Sequence, residues 1–488
     1  MSSTTSARTP EAPVAASPIV AVVVLCFGGL TAALTQTLVI PIQSQLPGLL
    51  HTSASNASWV VTITLLGAAV SMPVAGRVAD LVGKQRVLVA TAVILLVGSV
   101  VVALSSTVTP VLVGRALQGM AMGFIPVGIS LMREITPPKM TSTAIAAMSA
   151  TLGVGGAIGL PLAAWIVDKG SWHDLFWISS ALALVILVLV VLLVPHMSDA
   201  NDGHLDLVGA IGLAVGLVAF LVGISKATDW GWGDAKTLAA IVGGLAVLGA
   251  WGAFELRQAE PLVDLRTSGQ LPVLLTNLAA VAIGFGMMAQ SIVVPQLLQL
   301  PTATGYGLGQ TVLAAGLWMA PAGLMMMVFA PVSSGLMRSI GANRTLMIGG
   351  TVLGAGYLVA LFLMNAPWQL LVASCVASAG VGIGYAAMPT LILDAVPMRE
   401  AGSAVGLNSL MRSMGTTLAA AIMGTILSSN STTVRGFAIP DETAFHVCFV
   451  VGAVAAFVGV AITATIPRRS ADEAPAAAQA VETSEVPV

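Results

Sequence analysis

The stretch GRVADLVGKQR, residues 76 to 86, sets four charged side chains, Arg77, Asp80, Lys84 and Arg86, between two long apolar runs. Across all 488 residues only 8% are Asp, Glu, Lys or Arg, 57% are hydrophobic, and the mean hydropathy is +0.97. A soluble domain carries about 25% charge, so this chain belongs in a bilayer and the cluster marks a tight turn between two membrane spans. Gly83 suits that turn, because glycine takes backbone conformations closed to residues with a Cβ. Gly76 has no side chain to hold a neighbouring helix away. Asp80 can pair with Lys84 or Arg86, or cap a helix N-terminus. Membrane orientation needs Lys and Arg and gains little from an acid, so Asp80 points to a further role.

A helix needs about 20 apolar residues to cross the hydrocarbon, where its own backbone must satisfy its polar groups. Fourteen such runs begin near Ser17, Ala57, Arg86, Thr109, Ser142, Trp172, Leu207, Thr237, Leu271, Leu308, Ala342, Pro367, Gly402 and Phe445. The first run is too long for a signal-peptide core of about 7–15 residues, so it reads as a retained span. The fold class expected is an all-α integral membrane protein. With residue 1 in the cytoplasm, thirteen of the 19 Lys and Arg fall on the cytoplasmic side, among them Arg8, Arg77, Lys84, Arg86, Arg338, Arg344, Arg468 and Arg469. Lys169, Lys226, Lys236 and Arg435 fall outside, and Arg115 and Arg412 lie within spans. The excess of cytoplasmic cations fits a multi-pass cell-membrane protein with both termini inside. One cytoplasmic loop dissents: MSDANDGHLD, 197 to 206, has three Asp and no Lys or Arg.

The chain repeats itself. VIPIQSQLP (39–47) returns as VVPQLLQLP (293–301) at an offset of 254, and the same offset pairs Gln36-Thr37 with Gln290-Ser291. Pro73, Gly83 and Arg86 match Pro331, Gly341 and Arg344 at 258, and Glu134-Ile-Thr-Pro matches Asp394-Ala-Val-Pro at 260. Colinear matches with a slow one-way drift imply two pseudo-symmetric six-helix bundles, residues 17–196 and 271–467. Two extra helices, 207–256, sit between the linkers 197–206 and 257–270. Residues 1–16 are then a cytoplasmic N-terminus, and 468–488, rich in Ala, Pro and Glu, a disordered cytoplasmic tail. Inserting two spans preserves direction, so Arg338 and Arg344 stay on the side of Arg86. Parallel repeats around a midplane site are a transporter architecture.

Residues 76 to 86 resemble the G-x-L-x-D-R-x-G-R-R loop between spans 2 and 3 of the major facilitator superfamily. Gly76, Asp80, Gly83, Lys84 and Arg86 carry the match, with Leu81 where the family often has Arg. LVGRALQGMAMG, 112 to 123 in span 4, resembles the family's R-x-x-Q-G motif through Arg115, Gln118 and Gly119. GVGGAIGLPLAAW, 153 to 165 in span 5, is similar in part to the G-x-x-x-G-P-x-x-G-G of its proton antiporters. There Gly155 and Gly159 fit, Pro161 comes one position late behind Leu160, and Ala163-Ala164 replace the two glycines. With WHDLFW at 172 to 177, residues 17 to 467 resemble the fourteen-span drug:proton antiporter branch, whose members export drugs and antibiotics.

That resemblance implies a cytoplasmic gate at 76 to 86, with Asp80 facing the start of span 13 near Arg399. It implies a coupling role for Arg115, Gln118 and Gly119, and antiporter-like helix packing at Gly155, Gly159 and Pro161. It also implies a substrate cavity lined by spans 1, 4, 9 and 12, where Thr35, Gln36, Thr37, Gln290 and Ser291 are polar groups in apolar helices, joined by Asn408 and Arg412 in span 13. Hydrogen bonding between helices is the other reading of the glutamines, and backbone carbonyls are the other partner open to Arg412. An intramembrane Arg costs at least about 2.5–3.5 kcal/mol and usually faces a cavity or a partner; Arg115, near the outer end, could also snorkel outward.

The function expected is secondary active export of drugs, antibiotics or other amphipathic small molecules by alternating access, coupled to protons. The alternative is uptake, or lipid or metabolite carriage, on the same fold. The Asp usual in span 1 of that branch is Thr35 here, and all 21 acids lie in loops, termini or span ends. A dry cavity without an anionic partner suits neutral, amphipathic or anionic substrates better than organic cations. No G-x-x-x-x-G-K-[ST] is present, so a gradient must drive transport. Cys26, Cys375 and Cys448 are far apart in apolar runs and five His are scattered, so no metal, no cofactor and no enzyme chemistry is expected. A net charge of -2 without a basic tract excludes nucleic acid. The partners expected are a small-molecule substrate, protons and the lipid bilayer, with the chain acting as a monomer.

Overall fold

The computed structural model describes residues 17–42, 45–196, 203–434 and 437–467. The segment 1–16 with Arg8, positions 197–202 of the acidic loop, Arg435, and the tail 468–488 with Arg468 and Arg469 lie outside the described residues, as do the side chains of Pro41, Leu160 and Ala164.

Among the described residues, fourteen helices are long and apolar enough to cross a membrane. Spans 1 to 6 are Pro18–Thr37, Ala54–Val82, Lys84–Ala103, Val108–Met120 continued by Phe124–Ile135, Pro138–Lys169 and Trp172–Leu193. Spans 7 and 8 are Leu207–Trp230 and Ala235–Glu255. Spans 9 to 14 are Leu271–Gln299, Val312–Ile340, Ala342–Phe362, Pro367–Gly384 continued by Ala387–Ala395, Ala401–Ser429 and Glu442–Ala464. Every start lies within four residues of the position read from hydropathy. Side chains fix many of these starts by accepting from orphan N–H groups of the first turn: Ser53 for span 2, Ser171 for span 6, Asp206 for span 7, Asp234 for span 8, Thr311 for span 10 and Asp441 for span 14.

The duplication is visible in the geometry. Gly83 and Gly341, matched positions of the repeat, both hold positive φ, 99° and 85°, and each joins two spans with no loop between them. Spans 4 and 12 are both interrupted, at Ala121–Gly123 and just after Gly384. Helix pairing repeats too: spans 1·5, 2·4, 3·4, 3·6 and 1·6 pack in the first bundle, and 9·13, 10·12, 11·12, 11·14 and 9·14 in the second. The bundles meet through span 5 against span 10 and span 2 against span 13. Span 7 packs on both span 2 and span 13, and span 8 packs on span 7.

Two features depart from the sequence reading. Residues Ser431–Val434 and Phe437–Pro440 pair as a short antiparallel two-stranded ladder between spans 13 and 14; Thr432, Thr433 and Val434 are β-branched residue types that favour extended chain. Lys226, expected in an outer loop, lies inside span 7 and is 2% exposed. Its Nζ donates to Ser58 Oγ at 2.5 Å and to Asp229 at 3.1 Å, and stands over the Trp59 ring, which compensates the buried charge.

Candidate functional site

The two bundles are clasped at the end that carries Arg77, Lys84 and Arg86, called here the basic end. Asp80, 1% exposed, reaches from span 2 to the first turn of span 13. Its Oδ1 accepts from the Gly402 N–H at 3.0 Å and its Oδ2 from the Ser403 N–H at 2.9 Å. Those donors belong to a helix N-terminus, whose unpaired N–H groups and positive dipole end favour an anion. Backbone crowding holds the carboxylate there: a Cβ on Gly402 would lie 2.6 Å from both Asp80 Oδ1 and the Gly76 carbonyl, and a Cβ on Gly406 would lie 2.5 Å from the Met72 carbonyl. Gly76 therefore serves close approach, and Gly83 the turn that follows. Lys84 lies 3.6 Å from Asp80 and also pairs with Glu134 at the end of span 4. Arg86 turns to solvent and donates to its own helix at Val82. Arg399 is exposed beside the clasp and pairs with Glu400 at 3.3 Å. Arg133 of span 4 feels the charge of Asp394 in span 12, a second electrostatic link between bundles at this end.

Arg115 does not snorkel. It is 1% exposed and, together with Gln118, ties four spans of the first bundle together. Its Nε donates to the Val60 carbonyl at 3.1 Å, and Nη1 donates to the Thr35 carbonyl at 3.3 Å and to Gln118 Oε1 at 2.7 Å. Gln118 in turn donates to Ser99 Oγ at 2.9 Å. Thr35, where the resembling branch has Asp, thus offers a main-chain oxygen, while its hydroxyl donates to the Thr31 carbonyl. Gly119 is needed because a Cβ would strike the Thr64 carbonyl of span 2. Spans 1 and 5 are joined by Thr37, whose hydroxyl donates to the Gly155 carbonyl at 3.2 Å, and Gly159 makes room for the same hydroxyl. Span 5 continues as one helix through Pro161.

In the second bundle Gln290 donates to the Ser374 carbonyl at 3.2 Å, an interhelical bond. Ser291 is exposed and donates back to Met287, and Gln36 is half-buried. Asn408 donates to Asn277 Oδ1 at 3.0 Å, joining spans 13 and 9. The Arg412 guanidinium stacks 4.3 Å from the Tyr385 ring centre, a cation–π contact in place of the carbonyl partners considered from sequence. Asn277, Tyr385 and Ser99 escaped the sequence reading. Asn277, a lone amide in an apolar span, carried a signal, since a buried amide needs a partner.

A cavity of about 390 Å³ opens between spans 1, 5 and 10, in the half of the bundle nearer the basic end. Phe27, Leu30, Val154 and Met327 line it, and its polar groups are the Thr143 and Thr151 hydroxyls and the Cys26 thiol. The polar residues named from sequence for the substrate cavity do not border it. A charge-free chamber of this size suits a compact apolar or amphipathic molecule.

The Major Facilitator Superfamily profile matches residues 25–420 and again 276–487. The chain is 28% identical over 414 residues to an uncharacterized MFS-type transporter of Mycobacterium tuberculosis, covering 82% of this chain and 58% of that protein. It thus spans less than two thirds of that relative's length. It is 26% identical over 443 residues to the tetracenomycin C resistance and export protein of Streptomyces glaucescens, covering 90% of this chain and 80% of that protein. The crystal structure of the human organic anion transporter MFSD10 (TETRAN) shares the fold, with a TM-score of 0.65 over 93% of this chain and 100% of that one at 15% identity. Fourteen spans, a duplicated bundle and a profile match over most of the length give one conclusion: this chain is a multi-pass membrane protein of the Major Facilitator Superfamily, a family of transporters and not of enzymes.

Proposed function

We propose that the chain exports neutral or anionic amphipathic molecules of antibiotic type across the cell membrane by alternating access, driven by the proton gradient. The observation that carries the reading is the Asp80 clasp, a single side chain of one bundle capping a helix of the other. Alternating access needs a contact of this kind, strong when closed and wholly lost when the bundles rock apart. The basic end is cytoplasmic, both termini lie on that side, and the clasp is the cytoplasmic gate. The apolar cavity receives the substrate. The Arg115, Gln118 and Gly119 cluster couples the first bundle's helices to gate movement, and Gly155, Gly159 and Pro161 shape the span 5 face against span 1. Antibiotic export by the Streptomyces relative supports the substrate class. The chain works as a monomer. A proton crossing 100 mV releases about 2.3 kcal/mol, enough for a concentration ratio of about 50.

Inverted vesicles test direction and coupling together. A neutral polyketide-like antibiotic is expected to accumulate inside them and to leak out when a protonophore is added. Accumulation only in right-side-out vesicles would favour the uptake reading, and strong transport of quaternary ammonium dyes would overturn the charge argument.

A further inference from the structure

The inserted hairpin carries an acidic pair that the transport reading leaves unused. Spans 7 and 8 run antiparallel, so the start of one meets the end of the other, and Asp206 comes to lie beside Glu255 at the basic end. Each carboxylate is half satisfied. Asp206 Oδ1 accepts from the Gly209 N–H at 2.7 Å, and Glu255 Oε2 accepts from the Leu262 N–H at 3.0 Å. The remaining two oxygens, Asp206 Oδ2 and Glu255 Oε1, are buried and receive no hydrogen bond. They converge on one place: a Cβ on Gly209 would lie 2.6 Å from the first and 2.5 Å from the second. Glu255 is 2% exposed, which leaves bulk water almost no face to solvate. Two carboxylate oxygens that face one place without donors repel each other's charge, and one proton held by the pair relieves that repulsion by making one a donor and the other an acceptor.

No cation donates a hydrogen bond to either of those two oxygens. Arg77 stands one turn before Asp80 on span 2 and lines a cleft with Glu260 beside the hairpin and Ser403 of the clasp, so its charge acts on both Glu255 and Asp80. Trp251, on span 8, turns its indole N–H toward Glu255 without closing a well-formed bond. Arg266 is engaged on the Leu256 carbonyl at 2.9 Å, and His204 faces Glu260 in an exposed pair nearby. Among the described residues, no group of three or more metal-ligating side chains is assembled.

We propose that Asp206 and Glu255 form a proton-binding site that holds one proton between Asp206 Oδ2 and Glu255 Oε1, exchanging with water at the basic end, and that Arg77 conveys its state to the Asp80 clasp. Binding is simple proton uptake: the pair carries two negative charges when empty and one when filled. Emptying the site sets a second negative charge opposite Arg77, draws the guanidinium away from Asp80, and loosens the clasp. The site stands independently of the exporter reading; only the consequence for the gate rests on it.

The test is an infrared pH titration of the purified full-length protein in lipid nanodiscs, without substrate. The wild type is expected to lose a carboxylic-acid C=O band as the pH is raised from neutral to alkaline. Glu255→Gln and Asp206→Asn are expected to lack that band or move it, while keeping the wild-type elution profile, since both amides can still accept from Leu262 and Gly209. A wild type with no titrating acid band, a band unchanged in both variants, or a band abolished at constant pH by magnesium or calcium ions would overturn the site. The link to the clasp is read separately, in inverted vesicles, by labelling Ser403→Cys in a background free of native cysteine. Labelling by an impermeant maleimide should quicken several-fold over the same pH range in the otherwise native chain and stay flat with Glu255→Gln; equal quickening in both would overturn the link. No substrate enters either measurement, so failed efflux leaves the site standing and a failed titration leaves the exporter reading standing.

Discussion

Asp80→Asn removes the charge from the clasp and little else. The wild-type carboxylate accepts two backbone N–H groups at 3.0 and 2.9 Å, and hydrogen bonds to a charged group contribute about 1.5–3 kcal/mol each. Asparagine keeps one oxygen for one of those donors and turns its own NH2 against the other, and it gives up the favourable interaction with the helix dipole, worth about 0.3–2 kcal/mol. Allowing for the neutral bond that survives, the closed state loses about 2–4 kcal/mol, a shift of about 30- to 1,000-fold in the closed-to-open ratio. Spin labels on Val82→Cys and Met398→Cys, both exposed at the basic end in the native chain, read that ratio by pulsed distance measurement after the three native cysteines are replaced. A single short distance is expected for the wild-type gate and a dominant longer one for Asp80→Asn, with a matching fall in export. Asp80→Glu should fail in the same way although it keeps the charge, because the space beside Oδ1 is already closed by Gly402 and Gly76. If Asp80→Asn leaves the distance distribution unchanged and export within about twofold of wild type, the clasp does not govern the gate.

Three further outcomes follow from the same geometry. Arg115→Lys keeps the charge but not the fork that reaches Val60, Thr35 and Gln118; each carbonyl left without its donor costs about 1–3 kcal/mol, so both the thermal midpoint and export should drop, and a variant with a wild-type midpoint would contradict the network. Gly83→Ala and Gly341→Ala force a Cβ into positive φ at matched turns, and each should lower stability by about 1–2 kcal/mol in thermal unfolding; a large cost at one turn with none at the other would contradict their equivalence. Cys26 borders the apolar cavity, so a bound substrate should slow its reaction with a membrane-permeant maleimide, and unaltered labelling at saturating substrate would place the binding site elsewhere.

The fold was legible because bilayer physics leaves few choices. A run of apolar residues long enough to span must be helical, and the colinear matches from Gln36 to Asp394 reported the duplication before any helix was placed. The turn at Gly83 was legible from its residues, and an acid with no orienting use in a basic loop marked Asp80 for a further role; its direction toward span 13 came only from the resemblance of residues 76 to 86 to the superfamily's loop. Pairings between helices distant in sequence were not legible. Asn277 meets Asn408, and Arg412 meets Tyr385, through the rotation of each helix about its axis, which weak amphipathicity in lipid does not encode. Thr37, read as lining the substrate cavity, and Gln290, read either so or as a helix-to-helix hydrogen bond, are engaged with backbone carbonyls of neighbouring spans. Asp206 and Glu255 were read as loop and span-end acids; they meet only because spans 7 and 8 have similar lengths and turn back sharply at Gly231.

The inserted hairpin also constrains how the bundles can move. Span 7 touches both span 2 and span 13. At the end away from the basic residues, Lys226 holds Ser58 of span 2, while Trp232 Nε1 donates to Thr425 of span 13 at 2.7 Å and Thr228 lies 3.3 Å from the same hydroxyl. Rocking that separates spans 2 and 13 at that end must break one side of this strap. The Thr425 side is held by neutral hydrogen bonds worth about 0.5–1.5 kcal/mol each, less than the charge-assisted bonds of the clasp, and the Ser58 side retains a lysine compensated by Asp229 and Trp59. Span 7 should therefore release Thr425 first and travel with the first bundle. Span 8, packed on span 7 and largely exposed to lipid, meets little resistance in following. On this ordering the hairpin keeps Asp206 and Glu255 beside Arg77 throughout the cycle, as a sensor acting on the clasp requires.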